Sequence, residues 1–162
     1  MTMTELCAEL RNYFDRNKPK YFGTFEIRNG SLGLMGGIEL LNGQYFRIIG
    51  SVFNDGVHQY GTKEVVVNGN TVVQPIEELV DETFQGAVWA MAVPPAVIAL
   101  MGEMNDWEAK YGEASLTPFS SETIEGVYTY VKASGGSGTS SDAPIVTSVD
   151  MFATRLNKWR KI

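Results

Sequence analysis

Four turn dipeptides fall between residues 29 and 69 of this chain: Asn29-Gly30, Asn42-Gly43, Asp55-Gly56 and Asn68-Gly69. Asn-Gly and Asp-Gly accept the positive φ angles that tight antiparallel hairpins demand. Each pair is flanked by apolar or aromatic residues: Phe22 to Ile27, Tyr45 to Ile49, Val57 to Tyr60, and Val65 to Val67 with Val72 and Val73. Short β-branched and aromatic runs bounded by such turns read as strands. The pattern predicts an antiparallel β-module over about residues 21–74, with Gly33, Gly36 and Gly37 marking a tightly bent connection.

The flanks read as helix. Thr2 and Glu5 have capping-box spacing, and Leu6, Leu10, Tyr13 and Phe14 fall on one helical face. A helix is expected from Met3 to about Asn17, stopping before Pro19, with Cys7 a small buried hydrophobe beside its apolar face. From Asp81 the pattern turns helical again. Pro94-Pro95 suits a first helical turn, where the missing N–H groups have no partner in any case. Val97, Met101, Met104, Trp107 or Glu108, and Tyr111 then advance at helical spacing toward Gly112, a natural C-cap. The small residues around Trp89 fit either state, and helix is expected for residues 84–93.

Residues 134–144, Ser-Gly-Gly-Ser-Gly-Thr-Ser-Ser-Asp-Ala-Pro, read as a flexible linker. Beyond it Ser148 can cap a last helix with Phe152, Leu156 and Trp159 on one stripe and Arg155, Lys158, Arg160 and Lys161 among and after them. A basic amphipath on a tether suits an arm, although folding back onto the core explains it equally well. The expected fold class is therefore α+β: a helical core domain with an inserted antiparallel β-hairpin module and a tethered C-terminal helix. A single domain would occupy residues 1–133, with helical parts at about 1–18 and 77–112, followed by the linker and an arm at 145–162.

Chemistry is sparsely represented. One Cys and one His in 162 residues exclude a disulfide framework and a structural zinc site built within one chain. His58 lies close to Asp55, but no nucleophile elbow accompanies them. Glu77, Glu78, Asp81 and Glu82 lack the alternating acids and turn glycine of a calcium loop. Gly135-Gly136-Ser137-Gly138 is followed by no lysine, as a phosphate loop would require. No catalytic residue, cofactor or metal is expected, and the chain is read as a non-enzyme.

The formal net charge of −6 argues against autonomous nucleic-acid binding, which depends on neutralising phosphates. Its distribution is uneven. Ten acids lie between residues 77 and 125 against Lys110 alone, whereas residues 155–162 carry four bases and no acid. Such a split suits docking on copies of itself or on a complementary partner, or simply a solvated surface. The N-terminus has no basic region followed by an apolar run, and the longest apolar stretch is split by Pro94-Pro95. A soluble protein of a reducing compartment is expected.

The order of segments carries more than any single residue. A helix is followed by Gln44-Tyr45-Phe46-Arg47-Ile48-Ile49-Gly50-Ser51-Val52-Phe53-Asn54-Asp55-Gly56-Val57, and then by residues 81–95 around Trp89. Next come Ser121-Glu122-Thr123-Ile124-Glu125-Gly126-Val127-Tyr128-Thr129-Tyr130, the Gly/Ser stretch, and a terminal Leu156-Asn157-Lys158-Trp159-Arg160. This series resembles the head–tail connector (adaptor) proteins of tailed bacteriophages and prophages of Gram-positive bacteria, over most of the chain. The resemblance implies a structural virion protein of the neck. It would form a ring, usually of twelve copies, beneath the portal, extend the DNA channel without reading DNA sequence, and receive a stopper or tail-completion protein. It also implies that the C-terminal segment reaches the portal, which assigns portal binding to Phe152, Arg155, Leu156, Lys158, Trp159, Arg160 and Lys161. Adaptors of this kind are mainly helical, so the large β-module leaves open a stopper or tail-completion role, where small β-folds are usual. A second alternative is a ligand-binding module with Tyr45, Phe46, Phe53 and Tyr60 on its β-stretch.

Overall fold

The computed structural model describes residues 1–34, 37–115, 121–124, 128–131 and 147–161. It divides into two compact units, Met1–Met101 with Trp159–Ile162, and Gly102–Lys158.

The first unit opens with α1 (Met3–Leu10). The capping box forms as the spacing predicts: Glu5 N–H donates to Thr2 Oγ1, and Thr2 N–H donates to a Glu5 carboxylate oxygen at 2.7 Å. The helix is shorter than expected. Arg11 turns left-handed at φ 49°, and its N–H closes onto the last carbonyls, of Ala8 and Cys7. Phe14 and Asn17 are also left-handed, at φ 51° and 58°, so residues 11–19 run as an irregular strap. Tyr13 and Phe14 share helical spacing with Leu10 but not a helix.

Five antiparallel strands follow in one curled sheet of order β2-β1-β7-β3-β4. They are β1 (Lys20–Arg28), β2 (Ser31–Leu32), β3 (Tyr45–Ile49), β4 (Gly56–Gln59) and β7 (Glu82–Ala90). Between β4 and β7 in sequence, β5 (Thr62–Val67) and β6 (Asn70–Pro75) form a separate two-stranded ribbon. Asn29-Gly30 and Asn68-Gly69 join adjacent strands as two-residue turns, with Arg28 facing Ser31 and Val67 facing Asn70. The other two signals work differently. Asn42-Gly43 turns the chain ahead of β3, and Asp55-Gly56 ends a longer connection in which Asp55 Oδ1 accepts from Gly50 N–H at 3.1 Å.

The core lies against the sheet and not among helices, which overturns the expected α+β architecture with a helical core. Phe25, Ile27, Leu32, Phe46, Ile48, Phe84, Val88 and Ala90 from the strands meet Ile38, Leu40 and Leu79 from the connections. The fold is mainly β. The decisive element is residues 84–93, expected as helix: β7 covers 82–90 and is the central strand, paired with β1 on one side and β3 on the other. Its alternation of Phe84, Val88 and Ala90 on the core side is the period-two signal. Gly86 and Ala87 blur that signal in sequence, yet the fold requires something small at 86. A Cβ there would come within 2.0 Å of the Ile49 carbonyl oxygen. Residues 77–81, placed in the expected helical part, are connection.

Helix α2 (Pro95–Ser115) starts at the diproline as expected and runs past Gly112. Val97, Leu100 and Met104 are buried along it, so the apolar stripe uses Leu100 where Met101 was expected. Within the second unit, β8 (Ser121–Ile124) pairs antiparallel with β9 (Tyr128–Val131), Ile124 facing Tyr128. The expected linker at 134–144 lies outside the described residues. The expected C-terminal helix is two single-turn pieces, α3 (Ser148–Met151) and α4 (Ala153–Leu156). Its cap is Thr147 and not Ser148, with Asp150 completing a second capping box. Among the described residues no helix is long and apolar enough to cross a membrane.

Candidate functional site

The seven residues assigned to portal binding fall on both units. In the second unit, Leu156 is fully buried, Phe152 is half-buried, and Arg155 makes a bidentate ion pair with Glu103, one arm at 2.9 Å. Ser148 Oγ, also buried, donates to the Glu108 carboxylate. In the first unit, Trp159 and Lys161 are tied to the chain just after α1. Asn12 Nδ2 donates to the Trp159 carbonyl at 2.9 Å, Lys161 N–H donates to the Leu10 carbonyl at 2.9 Å, and Trp159 meets Phe14 edge-on at 6.4 Å. Arg160 pairs with Glu9. Lys158 is exposed.

Two of the four C-terminal bases thus meet carboxylates of their own chain. Both pairs lie at the surface, where salt screens such interactions. The hydrogen bonds of Asn12 and Lys161 are the more specific attachment, because one satisfies the Trp159 carbonyl and the other the Leu10 carbonyl at the end of α1. The sequence signal for that attachment was Asn12 itself, a residue that readily bonds main-chain groups just outside a helix.

Three of the four acids between residues 77 and 82 serve separate purposes. Glu77 accepts from His58 Nδ1 at 2.7 Å and from Gln59 N–H at 2.9 Å. Asp81 accepts from Gly30 N–H at 2.9 Å. Glu82, at the start of β7, accepts from Ser51 Oγ and, at 2.6 Å, from Asn54 Nδ2. Among the described residues no group of three metal-ligating side chains converges.

His58 is enclosed by acceptors. Nε2 faces the Asn54 carbonyl at 2.9 Å while Nδ1 faces Glu77, so only the doubly protonated ring donates to both. Burial works against the charge, but the bonds to Glu77 and Asn54 and the charges of Glu77 and Asp55 outweigh it, so the imidazole pKa is raised above 6.5. Glu77 is correspondingly lowered: burial opposes ionisation, and the His58 and Gln59 bonds overcome it. A ring with both nitrogens engaged by Glu77 and the Asn54 carbonyl has none left to take a proton from a substrate. It ties β4 to the connection before β7.

A network missed in sequence lies beside it. Asn54, 4% exposed, donates through Nδ2 to the Val80 carbonyl at 2.9 Å and to Glu82, accepts at Oδ1 from Val80 N–H at 2.8 Å, and donates its own N–H to Ser51 Oγ at 2.6 Å. This joins the β3–β4 connection to the start of β7. The four aromatics considered for ligand binding do not share a face available to a ligand. Phe46 is in the core with Tyr60 edge-on to it at 6.3 Å, while Phe53 is 67% exposed on the β3–β4 connection.

No family model matches the chain, and neither the curated proteins nor the solved structures contain a significant match.

Proposed function

We propose that this chain is a structural joining protein of the neck of a tailed bacteriophage, acting by assembly and not by turnover. Its support is the ordered series of segments from Gln44 to Arg160 that resembles head–tail connectors. The observation that carries the choice of layer is the mainly β first unit. Adaptors are mainly helical and stopper or tail-completion proteins are small β-folds, so the sheet favours the layer below the adaptor. In that position the chain would meet a ring above, its own neighbours at the sides, and the tail below.

For residues 152–161 to reach a portal or adaptor, Arg155 must leave Glu103, and the bonds at Asn12 and Leu10 must break. Docking through the buried Leu156 would therefore be coupled to release of the C-terminus.

The test is electron microscopy of the purified protein mixed with the portal ring of the same phage, with and without the adaptor of that phage. A ring that adds only when the adaptor is present places the chain in the stopper or tail-completion layer. Direct addition to the portal, lost on deletion of residues 145–162, assigns it to the adaptor layer. No addition in either mixture refutes the neck reading, and saturable binding of a small ligand by the monomer would replace it.

A further inference from the structure

Exposed sheet edges invite pairing, and folded proteins ordinarily cover them. One edge of the five-stranded sheet is covered here. On β4 the outward main-chain groups belong to Val57 and Gln59. Val57 N–H donates to Thr4 Oγ1 at 2.8 Å, Thr4 Oγ1 donates to the Val57 carbonyl at 3.3 Å, and Gln59 N–H donates to Glu77 at 2.9 Å.

Among the described residues the other edge is not. β2 pairs only with Ile27 and Arg28, and Gly33 N–H extends the ladder by one bond, to the Glu26 carbonyl at 2.9 Å. On the opposite side of β1, the Pro19 carbonyl accepts from Ala90 N–H, and the register with β7 runs unbroken from Lys20 to Ile27. Alternation along an antiparallel strand then aims the main-chain groups of Tyr21, Gly23 and Phe25 at β7. Those of Lys20, Phe22 and Thr24 point outward, and among the described residues nothing pairs with them. Phe22 is 74% exposed, and a cleft of about 260 Å3 lies alongside, lined by Thr24, Phe25, Glu26, Gly33 and Thr83.

A strand to fill that edge exists on the same chain. The β5–β6 ribbon is exposed along nearly its whole length, with Val66 71% and Val73 63% exposed. Isolated two-stranded ribbons are marginal in water and gain most from a third strand. Val67 facing Asn70 closes the turn, so the outward main-chain groups of β6 belong to Thr71, Val73 and Pro75.

We propose that β6 of one copy adds antiparallel to the open edge of β1 of the next. Val73 would lie opposite Phe22 and Thr71 opposite Thr24. Both are favoured cross-strand pairs, an aromatic with a β-branched residue and Thr with Thr. Four main-chain hydrogen bonds form, two at each pair. The ladder ends where Pro75, which has no N–H, meets Lys20. Donor and acceptor edges are different surfaces, so each copy uses both, and contacts propagate head to tail into a ring or an open chain. The contact is small beside the ~800 Å2 per partner of a typical stable interface, so it is a weak pairing strengthened by ring closure. From the neck reading the inference takes only that copies meet side by side.

The test is sedimentation velocity of the full chain over a concentration series, with Phe22→Lys and Val73→Lys as edge-blocking variants. Both positions are exposed, so each variant should keep the wild-type melting temperature. The wild type should gain mass with concentration, and each variant should associate at least about tenfold more weakly. An equimolar mixture of the two variants retains one intact donor edge and one intact acceptor edge. It should form a one-to-one complex and nothing larger. A wild type that stays monomeric throughout, variants that associate as it does, or a mixture that forms no heterodimer each overturn the pairing. A wild type that joins the neck rings while failing these tests refutes the pairing and spares the neck reading. Edge-dependent association without any neck partner does the reverse.

Discussion

Replacing Asn54 with Ala tests whether the polar network between the β3–β4 connection and β7 holds the sheet together. Three side-chain bonds are lost: two to the main chain of Val80 and one to the Glu82 carboxylate. Val80 is 52% exposed, so water reaches its two orphaned groups in part, and each costs the low end of the ~1–3 kcal/mol range for an unmet partner. The bond to a carboxylate adds ~1.5 kcal/mol. The total is about 3.5 kcal/mol, which for a chain of this size lowers the melting temperature by about 7–14 °C. Urea denaturation followed by tryptophan fluorescence gives the free energy directly. Asn54→Asp is the informative companion, since it keeps the acceptor for Val80 N–H but places a second carboxylate against Glu82. It should cost at least as much at neutral pH and recover in acid. A loss below about 1 kcal/mol for Asn54→Ala would show that water replaces the side chain without penalty, and would refute the argument.

Gly86→Ala should destabilise by about 3 kcal/mol or more, because the added Cβ meets the Ile49 backbone and not a side chain that can move. Gly102→Ala, in α2 with open space around it, should instead stabilise by about 0.5–1 kcal/mol, and thermal melts of both variants check the contrast. His58 is the chain's one histidine, so a single imidazole titration read by NMR reports it unambiguously; its pKa should lie above 6.5 and fall in Glu77→Gln. Because the folded-state pKa is raised, the stabilisation is fully present below about pH 6.5 and disappears as pH rises through the folded value, so the pH dependence of stability over that window should flatten in His58→Gln. Burial, opposed by the charge of Arg47, pushes the Cys7 thiol up to about 11, and a thiol reagent at pH 8 should modify it at least about a hundredfold faster in urea than in the native protein.

The local chemistry of this chain was legible because it depends on neighbours in sequence. Thr2 and Glu5 sit three residues apart and cap a helix wherever that helix packs. Asn29-Gly30 and Asn68-Gly69 turn the chain between adjacent strands because their φ preference is their own. Pro94-Pro95 starts α2 for the same kind of reason.

What the tertiary structure decided is which element is central. Residues 82–90 carry Gly86, Ala87 and Ala90, whose smallness reads in sequence as weak helix, and become the middle strand because β1 and β3 offer hydrogen bonds on both sides. Smallness at 86 is itself a tertiary demand, set by the Ile49 carbonyl. The strap after Leu10 shows the same limit. Tyr13 and Phe14 continue a helical spacing, but left-handed turns at Arg11, Phe14 and Asn17 end the helix, and Asn12 is left to hold the Trp159 carbonyl. Periodicity records which residues can share a face, whereas strand order, edge coverage and long-range bonds such as Asn54 to Val80 depend on partners distant in the chain. The sequence by itself therefore set the turns, caps and helix starts, and only the assembled sheet determined the mainly β fold and the open edge of β1.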